Sequence, residues 1–181
     1  MTDRPGQQDR PDATPHSLGV LGTVRDLDGV GVVRLEDRLA ARADDVWRAL
    51  TDRALLAEWL GTVEGDLAVG GEFHGHWAAS GWEGTCRLEA CEPSRRLLLR
   101  TSSEDQPEGV VEVTLQPDGD HTTVVLEDRG VPVADLPAYA AGDQIHLEDL
   151  AAHLTGRGRC DARARWQELF PAYAGRPVGP G

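Results

Sequence analysis

One helical segment carries the side chains best suited to chemistry. Residues 135–158, DLPAYAAGDQIHLEDLAAHLTGRG, contain Tyr139, Asp143, His146 and His153. At 3.6 residues per turn these four side chains fall along one flank of a helix. Asp143 also lies within an apolar stripe, whose other members are Leu136, Ala140, Leu147, Leu150 and Leu154. An acid on the buried side of a helix has a raised pKa, and a nearby imidazole titrates close to neutral pH.

Two interpretations of this cluster remain open. In the first, Asp143, His146 and Tyr139 form an acid–base site with Asp143 buried. In the second, Asp143 lies at the mouth of a cavity, solvated or paired with an arginine such as Arg100, and the histidines are half-exposed. We favour the second, because helix edges are commonly polar.

Aromatic residues on predicted strands indicate what faces the helix. The segment EFHGHWA alternates so that Phe73 and Trp77 share a face, and Trp77 and Trp82 flank the turn AASG. Asp37 lies among the apolar residues on one face of an earlier predicted strand. We predict that these four residues, with Leu147 and Leu150 on the helix, line a cavity between helix and sheet.

Metal and cofactor chemistry is not indicated. His74 and His76 lie on one side of a strand, but they alternate with Phe73 and Trp77 and therefore face solvent, and no third ligand has matching spacing. The chain contains no lysine, which excludes Schiff-base chemistry and a P-loop. We predict neither a metal nor a cofactor.

The composition excludes several classes of partner. The 181 residues carry a net charge of −13, which disfavours nucleic acid and anionic membrane surfaces. Three cysteines without C-x-x-C spacing are typical of reduced thiols, and the N-terminus has no apolar signal segment. We predict a cytoplasmic protein without membrane insertion, either a monomer or a homodimer.

The order of elements predicts an α+β fold. A hairpin turning at Asp28-Gly29 precedes two short helices, a run of antiparallel strands and the long helix. Residues 1–17 are predicted to be a disordered leader and residues 18–156 the folded domain. Residues 157–181 are predicted to be an extension with a short amphipathic helix and a disordered end. The long helix should lie across the concave face of a curved sheet.

Several segments resemble the START-like (SRPBCC) superfamily, whose helix-grip fold includes the major birch-pollen allergen. They are RLAARADDVWRALTDRALLAEWLG, LAVGGEF, WEGTCRLEACEPSRRLLLRT and VEVTLQPDGDHTTVVLEDRG, followed by the terminal helix, and they cover residues 32–155. Within the superfamily they are similar to bacterial homologues of activators of the heat-shock protein 90 ATPase. The resemblance implies a curved antiparallel sheet wrapped around the last helix.

The resemblance implies three functions for the fold. The family's terminal helix usually begins with Gly-Trp, but here Gly142 is followed by Asp143, which should open polar space beneath the helix. We therefore predict a domain that binds a small, mostly apolar or amphipathic molecule without catalysis. The alternatives are a cyclase- or hydratase-like enzyme that uses the same cavity, and a co-chaperone that activates a heat-shock protein 90 ATPase.

Overall fold

The computed structural model describes residues 22–104 and 106–180, so the predicted leader, residues 1–17, lies outside the described part of the chain. The helices are α1 (Ala43–Thr51), α2 (Arg53–Trp59), α3 (Leu136–Leu154) and α4 (Ala162–Ala174), and a 3-10 turn, Val133–Asp135, precedes α3. The strands are β1 (Gly22–Leu27), β2 (Val30–Leu39), β3 (Gly61–Gly65), β4 (Glu72–Trp77), β5 (Glu83–Glu92), β6 (Arg96–Ser103), β7 (Gln106–Asp118), β8 (His121–Pro132) and β9 (Gly179–Pro180).

The nine strands form one curved, open sheet in the order β3-β4-β5-β6-β7-β8-β2-β1-β9. Strands β1 to β8 pair with antiparallel neighbours, and α3 lies across the concave side, so the predicted helix-grip fold is confirmed. The sheet is nevertheless mixed, because Gly179 and Pro180 pair in parallel with Arg25 and Asp26 of β1. The expectation of a disordered end is wrong for these two residues, which add a short strand to the edge of the sheet.

The predicted turn at Asp28-Gly29 sets the register of the first hairpin. Asp28 and Gly29 have φ angles of 55° and 88°, as a two-residue type I′ turn requires, and Leu27 pairs with Val30. The Asp26 carboxylate accepts a hydrogen bond of 2.7 Å from the Gly29 N–H. The turn therefore fixes how β1 pairs with β2. Strand β2 also pairs with β8, and the inward side chains of β2 face α3.

Helix α3 is buried on two sides. Its predicted stripe lies against the sheet, with Leu136, Ala140, Leu147 and Leu150 all buried. The opposite side is buried by α4: the Tyr173 hydroxyl donates a 2.6 Å hydrogen bond to the buried Gln144 side chain. The helix ends where Gly156 adopts a left-handed φ of 73°.

The C-terminal extension is part of the core rather than an appendage. Leu169 and Tyr173 of α4 are buried against the rest of the domain, whereas Phe170 is 41% exposed. The Arg165 guanidinium also binds the Glu148 carboxylate of α3 at 2.6 Å. Among the described residues no helix is long and apolar enough to span a membrane.

Candidate functional site

A cavity of about 430 Å³ lies between α3 and the inner face of the sheet. Its volume falls within the range of small-molecule sites in proteins. Most of its wall is apolar, and some of the residues that border it, Gly81, Ser102, Gln106 and Pro107, are exposed at the surface. The cavity therefore reaches solvent at the end of the sheet where the β4–β5 and β6–β7 turns lie.

Eight of the nine predicted site residues border this cavity. They are Phe73, Trp77, Trp82, Tyr139, Asp143, His146, Leu147 and Leu150. The helix supplies five of them because the spacings of three and four residues from 139 to 150 keep those side chains on one face. That they contact a ligand stays a prediction.

Asp37 does not border the cavity, so its predicted position is wrong. It is half-buried, and its own carboxylate accepts a 2.8 Å hydrogen bond from the Arg38 N–H. Burial raises its pKa, and the negative charge of Glu148 on α3 raises it further. The side chain is close enough to α3 for the charge of Glu148 to act on it, but no residue of β2 borders the cavity, and α3 packs directly against that strand.

Asp128 is a cavity residue that the sequence reasoning missed. Residues directly opposite one another on five neighbouring strands form an inward-facing row: Leu88, Leu99, Val111, Asp128 and Val33. Asp128 is the one polar member and is only 7% exposed. The alternation of Val124, Leu126 and Asp128 in VVLED is the signal that could have found it, because alternate strand residues share a face.

Two carboxyl groups therefore face each other across the cavity, Asp128 from β8 and Asp143 from α3. Burial raises the pKa of Asp128 to about 7, and burial followed by repulsion from Asp128 raises the pKa of Asp143 well above its usual value. Asp143 borders the cavity and is half-buried as a residue, but its Oδ2 atom is buried with no hydrogen-bond partner among the described residues. At neutral pH the pair retains protons that exposed aspartates would have lost.

The predicted alternative that Asp143 pairs with Arg100 is wrong. The Arg100 guanidinium binds Glu89 at 2.8 Å and also contacts Glu108. Arg129 follows Asp128 and borders the cavity, but its guanidinium binds Glu112 and Glu127. Among the described residues, neither arginine compensates the charge of the carboxyl pair by a salt bridge.

His146 and Ser80 connect α3 to the turn between β4 and β5. His146 Nε2 lies 3.1 Å from the Ser80 hydroxyl, and the imidazole is 8% exposed. Burial lowers the pKa of His146 to about 4, so the ring is neutral at pH 7. The expectation of a half-exposed histidine is therefore wrong for His146, whereas His153 is half-buried and lies 3.4 Å from Glu58.

Trp77 and Trp82 form a stacked pair, with ring centroids 5.3 Å apart and planes at 21°. Two glycines, paired in register on β4 and β5, let both rings lie close to the sheet. A Cβ on Gly75 would lie 2.6 Å from the Trp77 ring, and one on Gly84 would lie 2.7 Å from the Trp82 ring. The pair forms an aromatic wall beside the surface opening.

The remaining wall includes a residue from the extension. Trp166 of α4 borders the cavity, and a Cβ on Gly142 of α3 would lie 3.8 Å from its ring. Tyr139, one turn before Asp143, points into the same space, and burial raises the pKa of its hydroxyl to about 12. The sequence separated the extension from the domain, but packing places part of it in the candidate site.

The predicted solvent face of β4 carries the two histidines of HGH. His74 and His76 are both exposed, and His74 Nε2 lies 3.0 Å from Glu83 Oε1. Within residues 22–104 and 106–180 no group of three histidine, cysteine, aspartate or glutamate side chains is placed to hold a metal ion.

Comparisons with known proteins agree with this architecture. The family model described as "Activator of Hsp90 ATPase homolog 1-like protein" matches residues 40–155. The crystal structure of CalU16 from Micromonospora echinospora is 26% identical, with a TM-score of 0.69 and coverage of 84% of this chain and 93% of CalU16.

Two further structures share the fold. DynU16, described as a protein of the dynemicin biosynthetic locus, is 30% identical with a TM-score of 0.65; the match covers 72% of this chain and half of DynU16. Protein MLL2253 from Mesorhizobium loti is 26% identical with a TM-score of 0.61, over 69% of this chain and 96% of that protein. No curated protein matches the chain. Contact with a heat-shock protein 90 chaperone and a cytoplasmic location stay predictions.

Proposed function

The chain belongs to the family of activator of Hsp90 ATPase homolog 1-like proteins, and on that premise we propose that it binds a small, mostly apolar molecule without altering it chemically. The site is the cavity between α3 and the sheet. The observation that carries the proposal is the volume of about 430 Å³ left beneath the helix, with a largely apolar wall. A domain selected only for stability would fill such a space, because unfilled apolar volume costs free energy.

The composition of the wall supports an apolar ligand with a defined orientation. Leu99, Val111 and Leu126 provide aliphatic surface, and the Trp77–Trp82 pair provides an aromatic face. Burial of apolar surface at about 25 cal/mol per Å² is sufficient for micromolar affinity. The polar groups of Asp143, Tyr139 and His146 would orient the bound molecule.

A cavity-filling variant tests the proposal. Val111→Trp places an indole in the cavity, and Val69→Trp, at a residue 60% exposed, is the matched control. The uncharged dye N-phenyl-1-naphthylamine should bind the native protein and the control with micromolar affinity and should bind Val111→Trp at least about tenfold more weakly. Equal dye affinity in all three proteins would contradict the proposal.

Native mass spectrometry of the protein purified from its own host is a separate experiment that would identify the natural ligand. We expect an adduct that the native protein carries and Val111→Trp does not. The same adduct on both proteins would show that it binds elsewhere.

A second function, acid–base catalysis in the same cavity, is favoured by one observation. Asp143 and His146 both border the cavity, and Asp143 Oδ2 and His146 Nδ1 have no hydrogen-bond partners among the described residues, so the cavity holds one acid and one base with unused hydrogen-bonding capacity. Conversion of the co-purified molecule by the native protein, lost in Asp143→Asn and His146→Ala, would establish this function. Binding that survives both substitutions with no conversion would leave the binding function alone.

A further inference from the structure

The charge of the cavity wall indicates what the ligand carries. Among the residues that the structure describes, Asp128 and Asp143 are the acids that border the cavity; Val111 and Val33 lie opposite Asp128, and Leu147 follows Asp143 by one turn. Two ionised carboxyl groups in an apolar site repel each other strongly, since the low dielectric screens them weakly. The pair avoids this repulsion by holding protons, as the raised pKa values of both acids indicate, and it ionises fully only when a positive charge lies beside it.

The protein supplies little of that charge from the cavity wall. The charge of Arg129 lowers the pKa of Asp128, but by less than burial raises it, and the guanidinium forms its salt bridges with Glu112 and Glu127. His146 and Tyr139 are both uncharged at pH 7. Among the described residues that border the cavity, Arg129 is thus the one cation, and it forms no salt bridge with either acid.

A metal ion fits this arrangement poorly. Divalent cations such as Ca²⁺ and Mg²⁺ take six or more oxygen ligands, and the two carboxyl groups are flanked by valine and leucine side chains. An ammonium group needs fewer partners, and it fits because it can form short, charge-assisted hydrogen bonds with one or two carboxylates. Asp143 Oδ2 has no partner among the described residues, so the carboxyl group has unused acceptor capacity for such a bond.

Resting on the binding function proposed above, we propose that the ligand is an amphipathic amine whose protonated nitrogen lies between Asp143 and Asp128. Its apolar part would extend along Leu99 and Val111 toward the stacked pair Trp77 and Trp82. The ammonium would restore both acids to their charged form, because an adjacent opposite charge lowers the pKa of a carboxyl group. An anionic ligand would be excluded by the same repulsion.

Three probes that differ only in their polar group test this inference. Decylamine, decanol and decanoate compete with N-phenyl-1-naphthylamine for the native protein at pH 7. We expect decylamine to displace the dye at a concentration about tenfold lower than decanol, and decanoate to be the weakest competitor.

The net charge of −13 also attracts amines to the protein surface. Two substitutions therefore distinguish binding of the amine in the cavity from its attraction to the acidic surface. Asp143→Asn should reduce the preference for decylamine over decanol to near unity. Asp118→Asn removes the same charge at a site that is 66% exposed, on the β7–β8 hairpin, and should leave the preference unchanged. Circular dichroism verifies that each variant is folded. If Asp143→Asn does not fold, Asp128→Asn is used in its place.

The outcomes distinguish the two proposals. If decanol competes as well as decylamine, or if Asp118→Asn removes the preference as completely as Asp143→Asn, the amine is excluded while the apolar binding site stands. If the dye itself binds Val111→Trp and the native protein equally, the cavity is not the binding site and both proposals fail.

Discussion

The buried acid Asp128 should make the protein less stable as pH rises, and Asp128→Asn should remove that loss. Burial raises the pKa of Asp128 from 3.8 to about 7. An acid with a raised pKa in the folded state binds its proton more tightly there than in the unfolded chain. The free energy of unfolding therefore falls between pH 3.8 and pH 7 and stays low above that range.

The size of the effect follows from the shift. About three pKa units at about 1.4 kcal/mol each correspond to about 4 kcal/mol in total. About 2 kcal/mol of this falls between pH 5.5 and pH 8, a range that avoids the isoelectric point near 4.8. Because Asp143 is coupled to Asp128, the measured value belongs to the pair, and loss of one charge also eases ionisation of the other.

Urea unfolding followed by tryptophan fluorescence at pH 5.5 and pH 8 measures the effect. The amide that Asp128→Asn introduces carries its own cost, but that cost does not depend on pH. The stability of the Asp128→Asn variant relative to the native protein should therefore improve by about 2 kcal/mol from pH 5.5 to pH 8. Glu64→Gln, at an exposed position on β3, is the control and should show no such change.

A pH-independent difference between Asp128→Asn and the native protein would refute the reasoning. It would mean that water or a counter-charge stabilises the ionised carboxyl group, and the surroundings of Asp128 would then not be apolar. The amine proposal would lose its electrostatic basis at the same time.

Three further predictions concern the cavity wall and the contact between α3 and α4. His146→Gln should lose the hydrogen bond to Ser80 but should gain about 1 kcal/mol of stability relative to the native protein as pH falls from 8 to 5.5. The reason is that burial holds the pKa of His146 at about 4, so the native protein becomes less stable as pH falls below 6.5. Urea unfolding at the two pH values measures the difference, and a constant difference would contradict the prediction. Gly75→Ala should displace the Trp77 ring and weaken dye binding, since the new Cβ would lie 2.6 Å from that ring, whereas Gly142→Ala, with its nearest neighbour at 3.6 Å, should bind the dye normally. Tyr173→Phe should lower the free energy of unfolding by about 1–2 kcal/mol, because it removes the 2.6 Å hydrogen bond to the buried Gln144 oxygen. An unchanged urea midpoint would show that water replaces the hydroxyl group.

Local sequence patterns were sufficient for the elements of this fold. The Asp28-Gly29 turn and the apolar stripe of α3 lie where the sequence patterns predicted them. These features depend on residues a few positions apart, so turn chemistry and the period of 3.6 residues determine them. The resemblance to the helix-grip fold then supplied the arrangement of the elements.

The same patterns placed most candidate site residues on the correct face. Tyr139, Asp143 and His146 point into the cavity because helical spacing fixes their common side. Asp37 shows the limit of this reasoning: alternation places it on the inner face of β2, but that β2 lies under α3 and outside the cavity depends on strand order and helix packing.

Only the tertiary structure decided which residues meet across the cavity. Asp128 and Asp143 come from β8 and α3, Ser80 meets His146 across 66 positions, and Trp166 reaches the wall because α4 folds back onto α3. Such contacts depend on strand order, sheet curvature and helix packing, and the local periodicity of the sequence does not determine these. The sequence by itself determined an acid-bearing helix over an antiparallel sheet; the packing of distant segments decided that this acid faces a second one in an apolar space.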